Sequence, residues 1–320
     1  MFGFNNSRVL AALVTLTAAC MAANAQEWNT IFSENFDAAP VGWTYSGVQS
    51  QGHDMLQVQN GRLSATWDQA NYFDQAAGVI TPSSFTKPLG RTLTDNDTFQ
   101  IRATIHIDSH TDNRSFYQIA NFGLYNMQTT GPDRLMSSST IADPKNLLEF
   151  NYFIMDDPNN FYGAFGPSTQ VSGASGSGAF ITGTWGEAGP YGTNTDMHCG
   201  NWLPAEDLEV VLTYFGALDT GDPSARRARS EVYQMVNGQR QLLVIDNVPQ
   251  LYWTGKLAAD DGFELTDVGF FNYAGWTWLP DMGGGTGTFD DVSVSLATPE
   301  PTSLALLAIG ATLLGRRRRK

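Results

Sequence analysis

The feature that most restricts this chain is a succession of short alternating segments rich in β-branched and aromatic residues, with no amphipathic helical stretch of normal length between residues 26 and 298. Phe99 to Asp108, Ser115 to Tyr125, Leu147 to Met155, Leu208 to Phe215, Ser230 to Val236, Gln241 to Asp246 and Thr288 to Leu296 all have this strand character. Gly, Asn, Asp and Pro collect between them. Asn60-Gly61 and Asn237-Gly238 are the dipeptides that two-residue hairpin turns select, because both central residues need positive φ. A sheet that is apolar on one face must bury it against another layer, and no helix is on hand to supply that layer. The expectation is an all-β, antiparallel two-sheet sandwich of jelly-roll type.

Two strings sharpen this. Phe32-Ser33-Glu34-Asn35-Phe36-Asp37 opens the domain, and Phe289-Asp290-Asp291-Val292-Ser293-Val294 closes it. Asp207 to Asp246 runs strand, strand, Asn-Gly, strand. Together they resemble the concanavalin A-like or laminin G-like jelly roll, which implies that the first and last strands pair. Such pairing would bring Asp37, Asp290 and Asp291 toward one edge, where converging hard oxygens suit Ca²⁺. Relatives of that fold often hold a structural ion, so a Ca²⁺ site at these three aspartates is one expectation. The bland alternative has one Asp capping a turn and another facing water. Asp95-Asn96-Asp97, Asp108 to Asp112 and Asp156 to Asn160 lack EF-hand spacing and read as Asx-type turns.

The termini are addresses. Pro299-Glu300-Pro301 precedes an apolar run from Thr302 to Gly315 and then Arg316, Arg317, Arg318, Arg319 and Lys320. The run has good helix formers on every side and no polar face. As a helix it would reach roughly 21 Å, short of a ~30 Å hydrocarbon core. The terminal cations favour a cytoplasmic surface. This tail resembles the PEP-CTERM sorting signal, which implies an exosortase-type protease as partner, cleavage near Pro299-Glu300-Pro301, and membrane contact through the C-terminal segment before processing. At the other end a mildly basic Met1 to Arg8, an apolar Val9 to Met21 and the small residues Ala23 and Ala25 read as a secretory signal peptide over 1–25. A lipoprotein reading would use Cys20 instead. The organisation expected is signal peptide 1–25, β-sandwich 26–298 and sorting signal 299–320 with one short hydrophobic helix.

Removing both ends leaves 12 Lys and Arg against 31 Asp and Glu, a net charge near −19. That disfavours nucleic acid and anionic membrane surfaces as partners. Cys199 then has no second cysteine within the domain. Its neighbour His198 makes no zinc spacing with it, and a structural thiol is the simpler reading.

Reaction chemistry is thin. Glycoside hydrolysis needs two facing carboxyl groups about 5 to 10 Å apart, and the Glu-x-Asp-x-Glu string of some concanavalin-like hydrolases is absent. Glu149-Phe150-Asn151 places one carboxylate and one amide on a shared strand face, opposite Leu148, Phe150 and Tyr152. Glu149 is the candidate catalytic residue, set against an ordinary polar residue on a solvated face. His106, His110, Arg114, Tyr117 and Gln118 supply lyase-type groups, but alternation separates Tyr117 from Gln118. Gly173 to Gly178 lacks the frame of a nucleophile elbow and reads as a loop. Binding is easier to argue. Tyr273, Trp276 and Trp278 lie in one loop-like stretch, where aromatic rings can stack on sugar, against a role in core packing. The function expected is an exported surface or matrix protein with a non-catalytic carbohydrate-binding jelly roll. The alternatives are a polysaccharide hydrolase or lyase, and a structural or adhesive envelope component.

Overall fold

The computed structural model describes residues 27–47, 49–50, 53–54, 56–68, 73–74, 79–80, 83–110, 116–129, 136–137, 140–141, 145–155, 167–175, 178–182, 204–216, 226–245, 247–254, 256–257, 261–272 and 284–298. Among the described residues, sixteen strands of three or more residues build the two sheets: β1 (Glu27–Glu34), β2 (Thr44–Ser46), β3 (Leu56–Gln59), β4 (Arg62–Asp68), β5 (Ser83–Thr94), β6 (Phe99–His110), β7 (Phe116–Tyr125), β8 (Leu147–Met155), β9 (Pro167–Ser172), β10 (Gly178–Thr182), β11 (Leu208–Phe215), β12 (Arg227–Val236), β13 (Gln239–Leu242), β14 (Leu251–Trp253), β15 (Glu264–Asn272) and β16 (Gly284–Thr298). Further two-residue strands pair in small ribbons.

These strands form two antiparallel sheets. The larger runs β13-β12-β11-β6-β16-β4-β3, with β1 on β16 and β14 on β12; the smaller runs β10-β9-β8-β7-β15-β5-β2. First and last strands pair as expected, and Thr30 and Ser295 share a hydroxyl hydrogen bond of 3.2 Å. Contacts divide the chain into Thr30–Ser295 and a second unit of Met1–Asn29 with Leu296–Lys320. In the second unit the Thr298 hydroxyl donates to the Glu27 carbonyl at 3.2 Å.

The hairpin dipeptides do what their chemistry requires. Asn60 and Gly61 take φ of 52° and 77° between β3 and β4, and Asn237 and Gly238 take 52° and 75° between β12 and β13. Asp97 closes the β5–β6 turn, its Oδ2 accepting from the Thr94 amide at 2.8 Å and hydroxyl at 2.9 Å. One strand boundary differs from the sequence reading. The segment expected at Gln241 to Asp246 leaves the sheet edge at Leu243, and Gln250 resumes the pairing with β12 through its carbonyl. β5 passes unbroken through Lys87-Pro88-Leu89-Gly90. Pro88 sits across from Asp267 and Leu93 across from Leu265, so residues 89–92 bulge out with Gly90 at φ 79°.

Alternate residues of each sheet fill the space between them. Phe99 stacks on Tyr214 at 5.3 Å and Phe263 meets Tyr214 edge-on at 4.8 Å. Another cluster joins Phe36, Trp43, Phe85, Phe122, Phe270 and Phe289, with Trp43 parallel to Phe85 at 4.8 Å. Each fully buried ring of this kind contributes about 1.5 to 3 kcal/mol.

Candidate functional site

The acidic corner is produced by two local breaks in alternation. Phe289 and Val292 are both buried although two residues separate them, and Asp291 at φ 48° absorbs the extra residue. Asp290 and Asp291 are thereby turned out together, with the Asp291 amide donating to Asp290 Oδ1 at 2.8 Å. On the chain leaving β1, Phe36 at φ 55° drives its ring into the core and turns Asn35 and Asp37 outward, their side chains joined at 2.6 Å.

Burial raises the Asp290 carboxyl above its ordinary range, and the neighbouring charges of Asp291 and Asp37 push the same way. Arg62 opposes this from 3.8 Å. The same guanidinium grips Asp207 through both carboxylate oxygens at 2.8 and 2.6 Å, and His106 Nδ1 lies 2.8 Å from Asp207. The Arg62 hydrogen bonds, against a burial penalty, hold Asp207 down at about 2. Asp37 and Asp291 thus both act on Asp290 through their charge. Among the described residues, however, no group of three or more His, Cys, Asp or Glu is arranged to hold a metal ion, and it is Arg62 that reaches this corner as counter-charge. A shallow cavity of about 400 Å³ lies alongside, lined by Ser33, Glu34, Asn35, Asp291, Val292 and Ser293.

The second assembly lies on the face of the smaller sheet turned away from the sandwich core. Leu148 and Phe150 of β8 point into the core, so Leu147, Glu149 and Asn151 point the other way. Cross-strand register sets Glu149 between Gln170 of β9 and Gly123 of β7, with Gly269 of β15 beyond. The next row holds Ser172, Leu147, Tyr125 and Asp267, and the row on the other side holds Ser168, Asn151, Asn121 and Phe271. This face was expected to be solvated, and it is not. Glu149, Asn121, Tyr125 and Ser172 are fully buried, and Asn151 and Gln170 nearly so. Tyr125, Leu147 and Phe271 form a second apolar cluster there with Met127 against it.

The hydrogen bonding of this face is specific. The Tyr125 hydroxyl donates to Glu149 Oε2 at 2.9 Å, Gln170 Nε2 donates to Ser172 Oγ at 3.2 Å, and Asn121 Nδ2 donates to the Phe271 carbonyl at 3.1 Å. Among the described residues Asn121 Oδ1 is a buried acceptor with no donor, and a buried unmade hydrogen bond costs about 1 to 3 kcal/mol. Two adjacent glycines hollow the row beside Glu149. A Cβ on Gly123 would run into the β8 backbone at Leu148 and Glu149; one on Gly269 would lie 2.9 Å from the Phe271 ring and 3.1 Å from the Tyr125 ring.

Asn121, Tyr125, Gln170 and Ser172 were not singled out from the sequence. The signal was available in Asn121-Phe122-Gly123-Leu124-Tyr125, where polar and small residues alternate with core residues. Ser175 is pinned to Asp261 through both its amide at 2.8 Å and its hydroxyl at 2.7 Å, in keeping with a loop. The side chains of His110, Arg114, Tyr117 and Gln118 fall outside the described residues, as do Tyr273, Trp276, Trp278, His198, Cys199, Ala23, Ala25, Pro299, Glu300, Pro301 and Arg316 to Arg319. So does the C-terminal hydrophobic helix; among the described residues no helix is long and apolar enough to cross a membrane.

Similar folds occur among solved structures. An endo-β-1,3-glucanase from Pyrococcus furiosus aligns at 11% identity over 87% of this chain and 97% of its own, with a TM-score of 0.47. A seed lectin isoform from Lotus tetragonolobus aligns at 12% identity over 84% and 99%, TM-score 0.45. The CBM2 module of the evolved Dit of Lactobacillus casei BL23 phage J-1 aligns at 11% identity over 86% and 99%, TM-score 0.44. No curated protein sequence matches the chain. Residues 297–320 match the PEP-CTERM protein-sorting motif, so this β-sandwich carries at its C-terminus a signal for export and sorting to the cell envelope or surface.

Proposed function

We propose that this is an exported carbohydrate-binding protein in which the outward face of the smaller sheet, around Glu149 and Asn121, is closed to solvent in this structure and opens to receive a neutral sugar. The supporting observation is the buried polar pavement of Asn121, Asn151, Gln170, Ser172, Tyr125 and Glu149 on a face that a plain sandwich would either leave wet or make apolar. Amides and hydroxyls donate and accept at fixed angles, which suits the hydroxyl ring of a sugar. Asn121 Oδ1 is the acceptor awaiting a donor. Tyr273, Trp276 and Trp278, which follow β15 directly in the chain, are proposed as the stacking platform.

Glu149 is proposed to orient a sugar hydroxyl rather than to cleave a bond. Hydrolysis calls for a second carboxyl group within about 5 to 10 Å. In the row adjoining Glu149 the carboxylate is Asp267, and its Oδ2 already accepts from the Met127 amide at 3.2 Å and the Thr266 hydroxyl at 2.7 Å. An exosortase-type protease is the proposed processing partner for the tail.

The test is a glycan-array and polysaccharide pull-down screen of the full chain in mild detergent, with and without EDTA, with reducing ends measured in the same tubes. Binding without release of reducing ends is expected, weakened at least tenfold by Asn121→Ala and by Trp276→Ala with Trp278→Ala. Release of reducing ends that Glu149→Gln abolishes would overturn the binding reading in favour of a hydrolase.

A further inference from the structure

The larger sheet has its own outward face, and its chemistry is unlike the rest of the chain. Leu208, Val210, Leu212 and Tyr214 of β11 point into the core, so Glu209, Thr213 and Phe215 point out. Register places Arg227 across from Phe215, Arg229 across from Thr213 and, on the other side, Trp253 across from Arg229. The Arg227 guanidinium lies 4.2 Å over the Trp253 ring, and Arg229 lies 5.3 Å from Trp253 and 5.4 Å from Phe215. Phe215 and Trp253 are themselves 5.2 Å apart. Farther along, Arg240 covers the Tyr233 ring at 3.3 Å.

The charges do not cancel. Arg229 pairs with Glu231 at 3.0 Å, while Arg102 and Arg240 both turn to the single carboxylate of Glu209. Among the described residues, four guanidiniums therefore face two carboxylates, a local excess of positive charge on a domain whose net charge is near −19. With a Debye length of about 8 Å at physiological salt, distant carboxylates are screened and the local excess governs what docks. Arg227 is the poised member. Its planar face is spent on Trp253, and among the described residues its in-plane N–H donors meet no ion pair or hydrogen bond, so they remain for a planar oxyanion.

We propose that the strip formed by Phe215, Arg227, Arg229 and Trp253 binds a carboxylated polysaccharide, with Arg227 gripping the sugar carboxylate and the half-buried rings meeting the C–H faces of the pyranose. A guanidinium held by stacking forms bidentate bonds to carboxylate with little further loss of freedom. Amphipathic rings beside it suit a sugar, which is apolar on its ring face and polar at its edge. The sorting signal directs the chain to the envelope or surface, and a carboxylated polysaccharide is an occupant that engages guanidinium and aromatic rings together. This strip and Glu149 lie on different sheets, so the two proposals stand or fall separately.

The experiment measures binding of the full chain in mild detergent to polygalacturonate, to its fully methyl-esterified form and to polyglutamate, over a salt series. Polygalacturonate should bind with an affinity that falls as salt rises, and the ester at least tenfold more weakly. Arg227→Gln should weaken polygalacturonate binding at least tenfold at an unchanged melting temperature, and Arg227→Lys should recover only part of it. Equal binding of acid and ester, equal binding of polyglutamate, or full activity in Arg227→Gln would each overturn the proposal.

Discussion

Replacing Tyr125 with Phe isolates the central hydrogen bond of the polar face. The ring stays, with its contact to Phe271 at 4.5 Å, so no cavity opens. What is lost is the hydroxyl that reaches Glu149 Oε2 at 2.9 Å, between two fully buried residues. A neutral hydrogen bond is worth about 1 kcal/mol net, and one to a charged group about 1.5 to 3. A buried carboxylate losing its phenol donor is thus expected to cost about 2 kcal/mol. The measurement is urea denaturation, in which the midpoint should fall while the slope stays constant. Glu149→Leu alone should also destabilise, because the Tyr125 hydroxyl loses its carboxyl acceptor. The double variant should be less harmful than the sum of the two, giving a coupling of about 2 kcal/mol. A single-variant cost below about 0.5 kcal/mol with no coupling would refute the reasoning, since water would then be reaching a face taken to be dry.

Glycine substitutions should separate crowding from backbone strain: Gly123→Ala drives a methyl into the β8 backbone and is expected to cost more than about 4 kcal/mol or prevent folding, whereas Gly238→Ala, with open space around it but φ 75°, should cost about 1 to 2 kcal/mol by thermal melting. Asp207, held down to about 2 in the fold from an ordinary 3.8, contributes stability that is complete above pH 3.8 and lost as pH falls toward 2; Asp207→Asn should remove that part of the acid transition, an effect on the order of 0.5 kcal/mol for so exposed a pair. Asp290 has the opposite sign, its raised carboxyl favouring the fold at low pH and penalising it as pH rises, so Asp290→Asn should stabilise slightly at pH 7 and not at pH 3 in paired melts. Added Ca²⁺ should leave the Asp290→Asn shift unchanged if Arg62 is the sole counter-charge of the corner.

Much of the fold was legible because its signals are local. A period of two places Leu148 and Phe150 inside whatever pairs with β8, and an Asn-Gly dipeptide makes its turn from its own dihedral preferences. The acidic corner was half legible. Pairing of first and last strands predicts that Asp37 and Asp290 converge, but Arg62 comes from a different hairpin, and no spacing in the sequence announces it. The bulge at Asp291 shows only in retrospect, as a Phe-Asp-Asp-Val that breaks alternation.

The polar face was legible only in part, for a reason of range. Alternation tells that Glu149 and Asn151 share a side; it does not tell whether that side meets water. The answer depends on Phe271, Tyr125 and Leu147, which come from three strands and build an apolar cluster beyond the sandwich core. The arginine strip is similar, since Arg227 and Trp253 acquire a shared meaning only when β14 docks on β12. By itself the sequence determined the strand character, the hairpin turns, the charge balance and the sorting signal, because each is set by residues adjacent in the chain. Tertiary structure alone decided which polar residues are dry, which cations go unpaired and which rings they cover, because those properties depend on strands distant in sequence being brought together.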